Sequence, residues 1–244
     1  MASLYLVPTP IGNLEDMTYR AVRILTETSA LACEDTRRTR VLLEHYGIPK
    51  PKTLFSYHEH NEHAAGKRIL GLLDAGAAVA VCTNAGYPGV SDPGFRIAAM
   101  ALDAGHEVIS LPGSSAVHVA LMQSGLPSSS YVFKGFPPRK TGARRRFLAM
   151  EADLPHTVVL YESPYRIGAL LADALEELGN RKAAVCIELT KMFEDVRRGF
   201  LADLAEAFSK TKVKGEITVV IAGNHPKFFG PDESAETEED GSAR

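Results

Sequence analysis

The stretch that most constrains this chain runs from Ala78 to Gly94. Ala78 to Cys82 is a short apolar run without polar alternation, the pattern of a strand buried on both faces of a parallel sheet. It leads into a loop holding Gly86, Pro88, Gly89, Pro93 and Gly94. Asp92 followed by Pro93 reads as a helix opening, a capping side chain and then a residue whose missing N–H costs nothing there. Strand, glycine-rich loop and helix in succession leave bare backbone at the carboxyl edge of a sheet, where open α/β folds bind ligands. An ordinary connection needs fewer glycines and prolines, so a ligand site is expected at this loop.

The rest of the chain repeats the alternation. Leu4 to Val7 is a strand ended by Pro8-Thr9-Pro10-Ile11-Gly12-Asn13, and Thr18 can cap a helix carrying Ala21, Val22, Ile24 and Leu25 on its inner side. Ala30 to Cys33 follows, with Glu34-Asp35-Thr36-Arg37 at its carboxyl end, then a helix from about Arg38 to His45. Thr53 to Tyr57, a helix from Glu62 to Leu73, and Glu107 to Leu111 before Pro112-Gly113-Ser114-Ser115-Ala116 complete a first half. Gln123 to Ser130, rich in Ser, Gly and Pro, is the expected joint. It divides an N-terminal α/β domain over 1–122 from a C-terminal one over 123–225. In the second half the strands are Tyr131 to Phe133, Thr157 to Tyr161, Ala183 to Ile187 and Ile217 to Ala222. The expectation for both halves is a mainly parallel sheet.

Charge matters because it is uneven. The formal net charge is −3, yet His225 to Arg244 alone carries six acids and two bases, which leaves the body at +1. That acidic segment, 226–244, has no periodic apolar residues and is expected to be disordered. A near-neutral body binds nucleic acid only where its positive charge is gathered. Lys134 to Arg146 gathers it, with Lys134, Arg139, Lys140, Arg144, Arg145 and Arg146 and no acid among them. Phe133, Phe136 and Phe147 interleave, and cations beside aromatic rings suit phosphate contact with base stacking. A solvated cationic face is the alternative; Arg37, Arg38 and Arg40 extend the patch.

Other signals are negative. G-x-G-x-x-G, G-x-x-x-x-G-K-S/T, G-x-S-x-G and H-E-x-x-H are all missing. The cluster His58-Glu59-His60-Asn61-Glu62-His63 could place His60 and His63 on one helix face, but a solvated strand-to-helix turn is the favoured reading and no metal is expected. Cys33, Cys82 and Cys186 stand singly, which suits a reducing compartment. Met1 to Pro8 lacks a basic start and a long apolar stretch, so the expected location is the cytoplasm, with no membrane involvement. Tyr161-Glu162-Ser163-Pro164 and Glu188-Leu189-Thr190-Lys191 both sit at carboxyl ends of strands, where charged groups either face a cleft or cap helices.

Taken together, Thr9 to Leu14, Glu34 to Arg37, His58 to Glu62, Ala85 to Gly94, Pro112 to Ala116, Tyr161 to Pro164, Glu188 to Lys191 and Lys214-Gly215-Glu216, in that order, resemble the ribosomal RNA small-subunit methyltransferase I family, within the tetrapyrrole-methylase fold. The resemblance spans about residues 3–223. It implies two α/β domains with S-adenosylmethionine in the cleft between them, a homodimer, and 2′-O-methylation of a cytidine in the decoding centre of 16S rRNA in the small ribosomal subunit. Carried over position by position, the cofactor residues are Pro10, Gly12, Asn84, Ala85, Gly86, Gly89, Gly113, Ser114, Ser115, Tyr161, Glu162, Leu189 and Gly215. Ionisable groups expected at the reacting hydroxyl are Lys191, Glu188, Glu162 and Asp35. Lys191 would lower the hydroxyl pKa, or Glu188 or Glu162 would take its proton. Arg37, Arg139, Lys140, Arg144, Arg145 and Arg146 would hold RNA phosphates.

Three positions depart from the family pattern. Asn84 and Tyr87 stand where an aspartate and a threonine are usual, and Ile187 stands where an arginine precedes Glu-Leu-Thr-Lys. Two other readings stay open at this point: C-methylation of a porphyrin precursor on the same fold, and RNA binding with a degraded cofactor site.

Overall fold

The computed structural model describes residues 2–230, and the chain divides into two compact units that meet between Ala116 and Val117. The first contains β1 (Ser3–Leu6), α1 (Tyr19–Glu27), β2 (Ala30–Cys33), α2 (Thr36–His45), β3 (Thr53–Ser56), α3 (Glu62–Asp74), β4 (Val79–Cys82), α4 (Phe95–Asp103) and β5 (Glu107–Ser110). Its five strands are all parallel, in the order β3-β2-β4-β1-β5. Side chains alternate between two cores. Val79 and Val81 pack with Leu4, Ala32, Ile69 of α3 and Ile97 of α4 on one face. Ala80 and Cys82 pack with Leu31, Cys33, Ile24 of α1 and Leu43 of α2 on the other. Helices thus cover both faces, which is why β2 and β4 read as unbroken apolar runs. Cys33 and Cys82 are register neighbours across β2 and β4, and burial raises both thiols, so they are packing groups.

The second unit contains α5 (Ala116–Ser124, entered at its first residue), β6 (Tyr131–Phe133), α6 (Thr141–Ala149), β7 (Thr157–Glu162), α7 (Ile167–Leu178), β8 (Lys182–Ile187), β9 (Asp195–Phe200), α8 (Leu201–Lys210) and β10 (Ile217–Ile221). Here the expectation of a mainly parallel sheet is corrected. The order is β6-β7-β10-β8-β9, and only the β6–β7 pair is parallel. β9 escaped the sequence reading because it is an edge strand, Asp-Val-Arg-Arg-Gly-Phe, whose charges mask its alternation. One face of this sheet carries Val158, Leu160, Val185, Ile187, Val219 and Ile221 against Leu148 of α6, Leu170 and Leu171 of α7 and Leu204 of α8. On the other face Val159, Ala184, Cys186 and Val220 are equally buried, and the Cys186 thiol reaches the Ala120 carbonyl of α5 at 4.0 Å.

Several boundaries move. α5 goes with the second unit, so the units part before the Ser/Gly/Pro-rich stretch rather than within it. α4 starts at Phe95 with Gly94 as its N-cap and no side-chain cap bond, two residues after the proline expected to open it. Asp92 is not the cap because the chain makes a further turn, closed by the bond from the Gly89 N–H to the Pro93 carbonyl at 3.1 Å. The acidic segment is structured at its start: Pro226–Phe228 forms a 3-10 turn, Phe229 bridges to Arg181, and the Gly230 N–H donates to the Asn180 carbonyl at 2.7 Å. Residues 231–244, with all six acids, lie outside the described residues.

Candidate functional site

In the first unit every strand is parallel, so every carboxyl end lies on one edge, and four of the loops leaving that edge are bonded to one another. The loop after β1 pairs with the loop after β4: the Thr9 N–H donates to the Gly86 carbonyl at 3.0 Å and the Gly86 N–H to the Thr9 carbonyl at 2.9 Å. The Thr9 hydroxyl adds a bond to the Thr83 carbonyl at 3.1 Å. From the loop after β2, Glu34 Oε2 accepts the Asn84 N–H at 3.0 Å. From the loop after β5, the Gly113 N–H donates to the Tyr87 hydroxyl at 2.8 Å, and the Ser114 hydroxyl donates to the Asp16 carbonyl at 3.1 Å. Gly113 has to be glycine: a Cβ there would stand 2.6 Å from Cβ of Pro8. The expected cofactor residues Pro10, Gly12, Asn84, Ala85, Gly86, Gly89, Gly113, Ser114 and Ser115 all sit on these loops.

This rim is built but not saturated. Asn84 Oδ1 is buried and has no hydrogen-bond partner among the described residues. A buried acceptor left open costs free energy and marks where a ligand's donor group fits. Bare backbone and an open acceptor suit the polar ends of S-adenosylmethionine, so these residues fit that group.

In the second unit a different geometry gathers the motifs. β10 runs antiparallel to β7 and β8, so its start lies on the same edge as their carboxyl ends: Ile217 is the register partner of both Glu162 and Ile187. Lys214-Gly215-Glu216 is thereby brought beside Glu188-Leu189-Thr190-Lys191, although more than twenty residues separate them. The two motifs form a clasp. The Glu188 N–H donates to the Glu216 carbonyl at 2.9 Å, and Glu188 Oε1 accepts both the Glu216 N–H and Lys191 Nζ at 2.8 Å. Lys191 Nζ also meets Glu216 Oε2 at 2.9 Å. The backbone is strained here, since Glu188 (φ 51°) and Thr190 (φ 66°) occupy the left-handed region that a β-branched threonine avoids.

Electrostatics follow from the clasp. Burial pulls the Lys191 ammonium pKa down, but hydrogen bonds to Glu188 and Glu216 outweigh it and hold it above its ordinary value. Burial acts to raise the Glu188 carboxyl, yet Lys191 and the Glu216 N–H leave it lowered. Glu188 is therefore a weak proton acceptor. Glu162 differs: its side chain is fully buried, Oε1 takes Arg166 and the Ser163 N–H, both at 2.6 Å, and Oε2 has no partner among the described residues. Tyr161 beside it lies against Phe133 and Phe136, with ring centroids 4.9 and 5.5 Å away. Ile187, in place of an arginine, packs into the core.

Asp35, on the same loop as Glu34, caps α2, with Oδ1 on the Arg37 N–H at 2.8 Å, and its bonds to Arg37 lower its pKa, which makes it a weak proton acceptor. Arg144 is corrected outright. It is 4% exposed and held by Asp173 of α7 at 2.6 Å, so it reaches no phosphate. Arg145 is bound by Glu176 and Glu177 of α7, and Lys134 by Glu151 at 2.6 Å while it covers the Phe147 ring. Packing of α6 on α7 brings Asp173, Glu176 and Glu177 to a run that holds no acid of its own, and Glu151 comes from the turn that follows α6. Arg139, Lys140 and Arg146 stay exposed, as do Phe136 and, in the first unit, Arg37, Arg38 and Arg40. Of the three histidines in the cluster only His63 lies on α3, so His60 and His63 do not share a helix face, and among the described residues no group of three His, Cys, Asp or Glu could hold a metal. Sequence reading assigned no role to Glu34, Tyr87, Arg166 or Glu216; Arg166 meets Glu162 across the turn between β7 and α7, where no regular spacing marks the pair.

Residues 3–205 match the family of tetrapyrrole (corrin/porphyrin) methylases. The chain is 44% identical over 225 residues to the ribosomal RNA small subunit methyltransferase I of Halalkalibacterium halodurans, covering 92% of this chain and 77% of that protein. It is 45% identical over 231 residues to the protein of the same name from Mesorhizobium japonicum, covering 94% and 78%. Among solved structures, a uroporphyrin-III C-methyltransferase from Thermus thermophilus superposes with a TM-score of 0.61 at 23% identity, over 90% of this chain and 94% of that one. A cobalt precorrin-4 methyltransferase of cobalamin biosynthesis gives 0.65 at 14% identity, over 90% and 94%, a likeness of fold alone. With a family match over residues 3–205 and that extent of identity, the chain belongs to the tetrapyrrole methylase family and, within it, to the ribosomal RNA small subunit methyltransferases I.

Proposed function

We propose that this protein transfers the methyl group of S-adenosylmethionine to the 2′-hydroxyl of a cytidine in 16S rRNA of the small ribosomal subunit. The observation that carries the donor site is the bonded rim of the first unit with its open Asn84 acceptor. When bound, the donor supplies an electrophilic methyl on a sulfonium. Loops 8–13, 84–89 and 113–115 hold it, and their mutual hydrogen bonds fix their shape beforehand, which favours an aligned displacement.

The residues of the second unit then divide the remaining work. A ribose hydroxyl is a poor nucleophile near neutral pH and needs a cation or a base close by. Lys191, held protonated by two carboxylates, provides a fixed positive charge for the developing alkoxide. Of the carboxylates expected to take the proton, Glu162 keeps an unpartnered oxygen and Glu188 does not keep its basicity. Glu162 is therefore the carboxylate proposed as the proton acceptor, a role in which the ribose hydroxyl reaches the open oxygen only if RNA binding uncovers its side chain, which is fully buried beside Arg166. Arg37, Arg139, Lys140 and Arg146 hold phosphates, and Phe136 offers a ring for stacking.

These exposed cations and the relatives named as rRNA methyltransferases favour RNA over a porphyrin precursor. Mapping ribose methylation in 16S rRNA from cells with and without this chain tests the reading. An unchanged map refutes it, and absence of S-adenosylmethionine binding in calorimetry leaves a plain RNA-binding protein. Light scattering of the purified protein tests the homodimer that accompanies this reading.

A further inference from the structure

The departure at Tyr87 has a structural use. Its ring spans from the loop after β4 to the loop after β5, and its hydroxyl accepts the Gly113 N–H at 2.8 Å. A threonine side chain, two bonds long, could not make that span. A phenol both accepts and donates, and the one hydrogen bond of the Tyr87 hydroxyl among the described residues is the one it accepts from Gly113, which leaves its proton to give. Tyr87 is half-buried, and three residues before it lies Asn84, whose Oδ1 is a buried acceptor without a donor among the described residues. The loop therefore presents one unspent donor and one unspent acceptor, on a frame that Tyr87 itself ties together.

We propose that Tyr87 is a positioning residue of the methyl-donor site: its hydroxyl fixes the 113–115 loop through the Gly113 N–H and turns its own proton to an acceptor atom of the bound donor. The proposal rests on the reading of this rim as the S-adenosylmethionine site. On this view the bulky replacement supports the cofactor site rather than degrading it. It substitutes a side-chain tie for whatever else would order the second loop, so the two rims are held at their working distance before the donor arrives.

Calorimetry of S-adenosylmethionine with the full chain and with Tyr87→Phe and Tyr87→Thr tests it, together with amide exchange of the free protein by NMR. Tyr87→Phe is expected to weaken donor binding about 3- to 10-fold, the range of one hydrogen bond. Gly113 N–H exchange should speed up while Gly86 N–H, bonded to Thr9, keeps its rate. Tyr87→Thr should behave like Tyr87→Phe, its hydroxyl falling short of Gly113. Unchanged affinity in Tyr87→Phe, or full affinity in Tyr87→Thr, overturns the proposal. So does unprotected exchange of Gly113 in the unaltered protein, a measurement that needs no variant to fold. Failure of the unaltered protein to bind the donor refutes the site reading itself, and is seen before any substitution is made.

Discussion

Gly215 makes room for Glu188. A Cβ built on Gly215 would lie far inside 3.0 Å of the Glu188 carboxyl group, and Gly215 itself has φ 93°. The glycine of one motif is thus the condition for the carboxylate of the other to reach Lys191 and the Glu216 N–H. Gly215→Ala is expected to combine left-handed strain with expulsion of Glu188 from the clasp, a loss of about 1–3 kcal/mol of stability. Urea unfolding measures it, and a variant within about 0.5 kcal/mol of the parent would mean that the clasp adjusts freely.

Proton linkage at the clasp has a definite sign. Glu188 has a folded pKa below its ordinary 4.5, so its contribution is present above that value and lost as the pH falls through the folded one. Lys191 is raised above 10.5, so its contribution is present below that value and lost only as the pH climbs past it. Between these limits the clasp gives a flat contribution. Glu188→Gln should lower melting temperature at neutral pH and flatten the loss of stability on going below pH about 4.5. Parallel melting curves for variant and parent through that acid range would refute this.

Glu162 and Lys191 are separable by kinetics. Glu162→Gln should cut kcat about 100-fold or more, within the range for a general base, with little change in donor affinity. If donor affinity falls instead and kcat holds, Glu162 is a ligand of the donor. Lys191→Met should lower methyl transfer at saturating RNA, and full transfer there would remove Lys191 from the mechanism.

The basic segment divides into cations paired with acids of the fold and exposed cations proposed to bind RNA. Arg144→Ala leaves Asp173 buried without its partner and should cost about 3–5 kcal/mol. A triple Ala variant of Arg139, Lys140 and Arg146 should melt like the parent. Its RNA affinity should depend less steeply on salt, by about 0.7 for each single-strand phosphate that is no longer neutralised. An unchanged slope would make the three merely surface groups.

The sequence by itself determined the alternation of elements, the buried central strand Val79–Cys82 and the glycine-rich loops proposed to hold the donor, because glycine, proline and capping residues act locally, through φ and through bonds to their own backbone. Local pattern also located Thr18 as the cap of α1, where its hydroxyl accepts the Ala21 N–H at 3.1 Å. What only the tertiary structure decided depends on partners distant in the chain. The direction of β10 brings Lys214-Gly215-Glu216 to Glu188 and Lys191. The packing of α6 on α7 turns Arg144 from a phosphate ligand into a buried ion-pair member. The span from Tyr87 to Gly113 gives an unexpected side chain its place. Charge and hydrogen-bonding capacity can be read along a sequence, but whether they are spent inside the protein or left for a ligand is settled by which groups the fold sets within about 3 Å of one another.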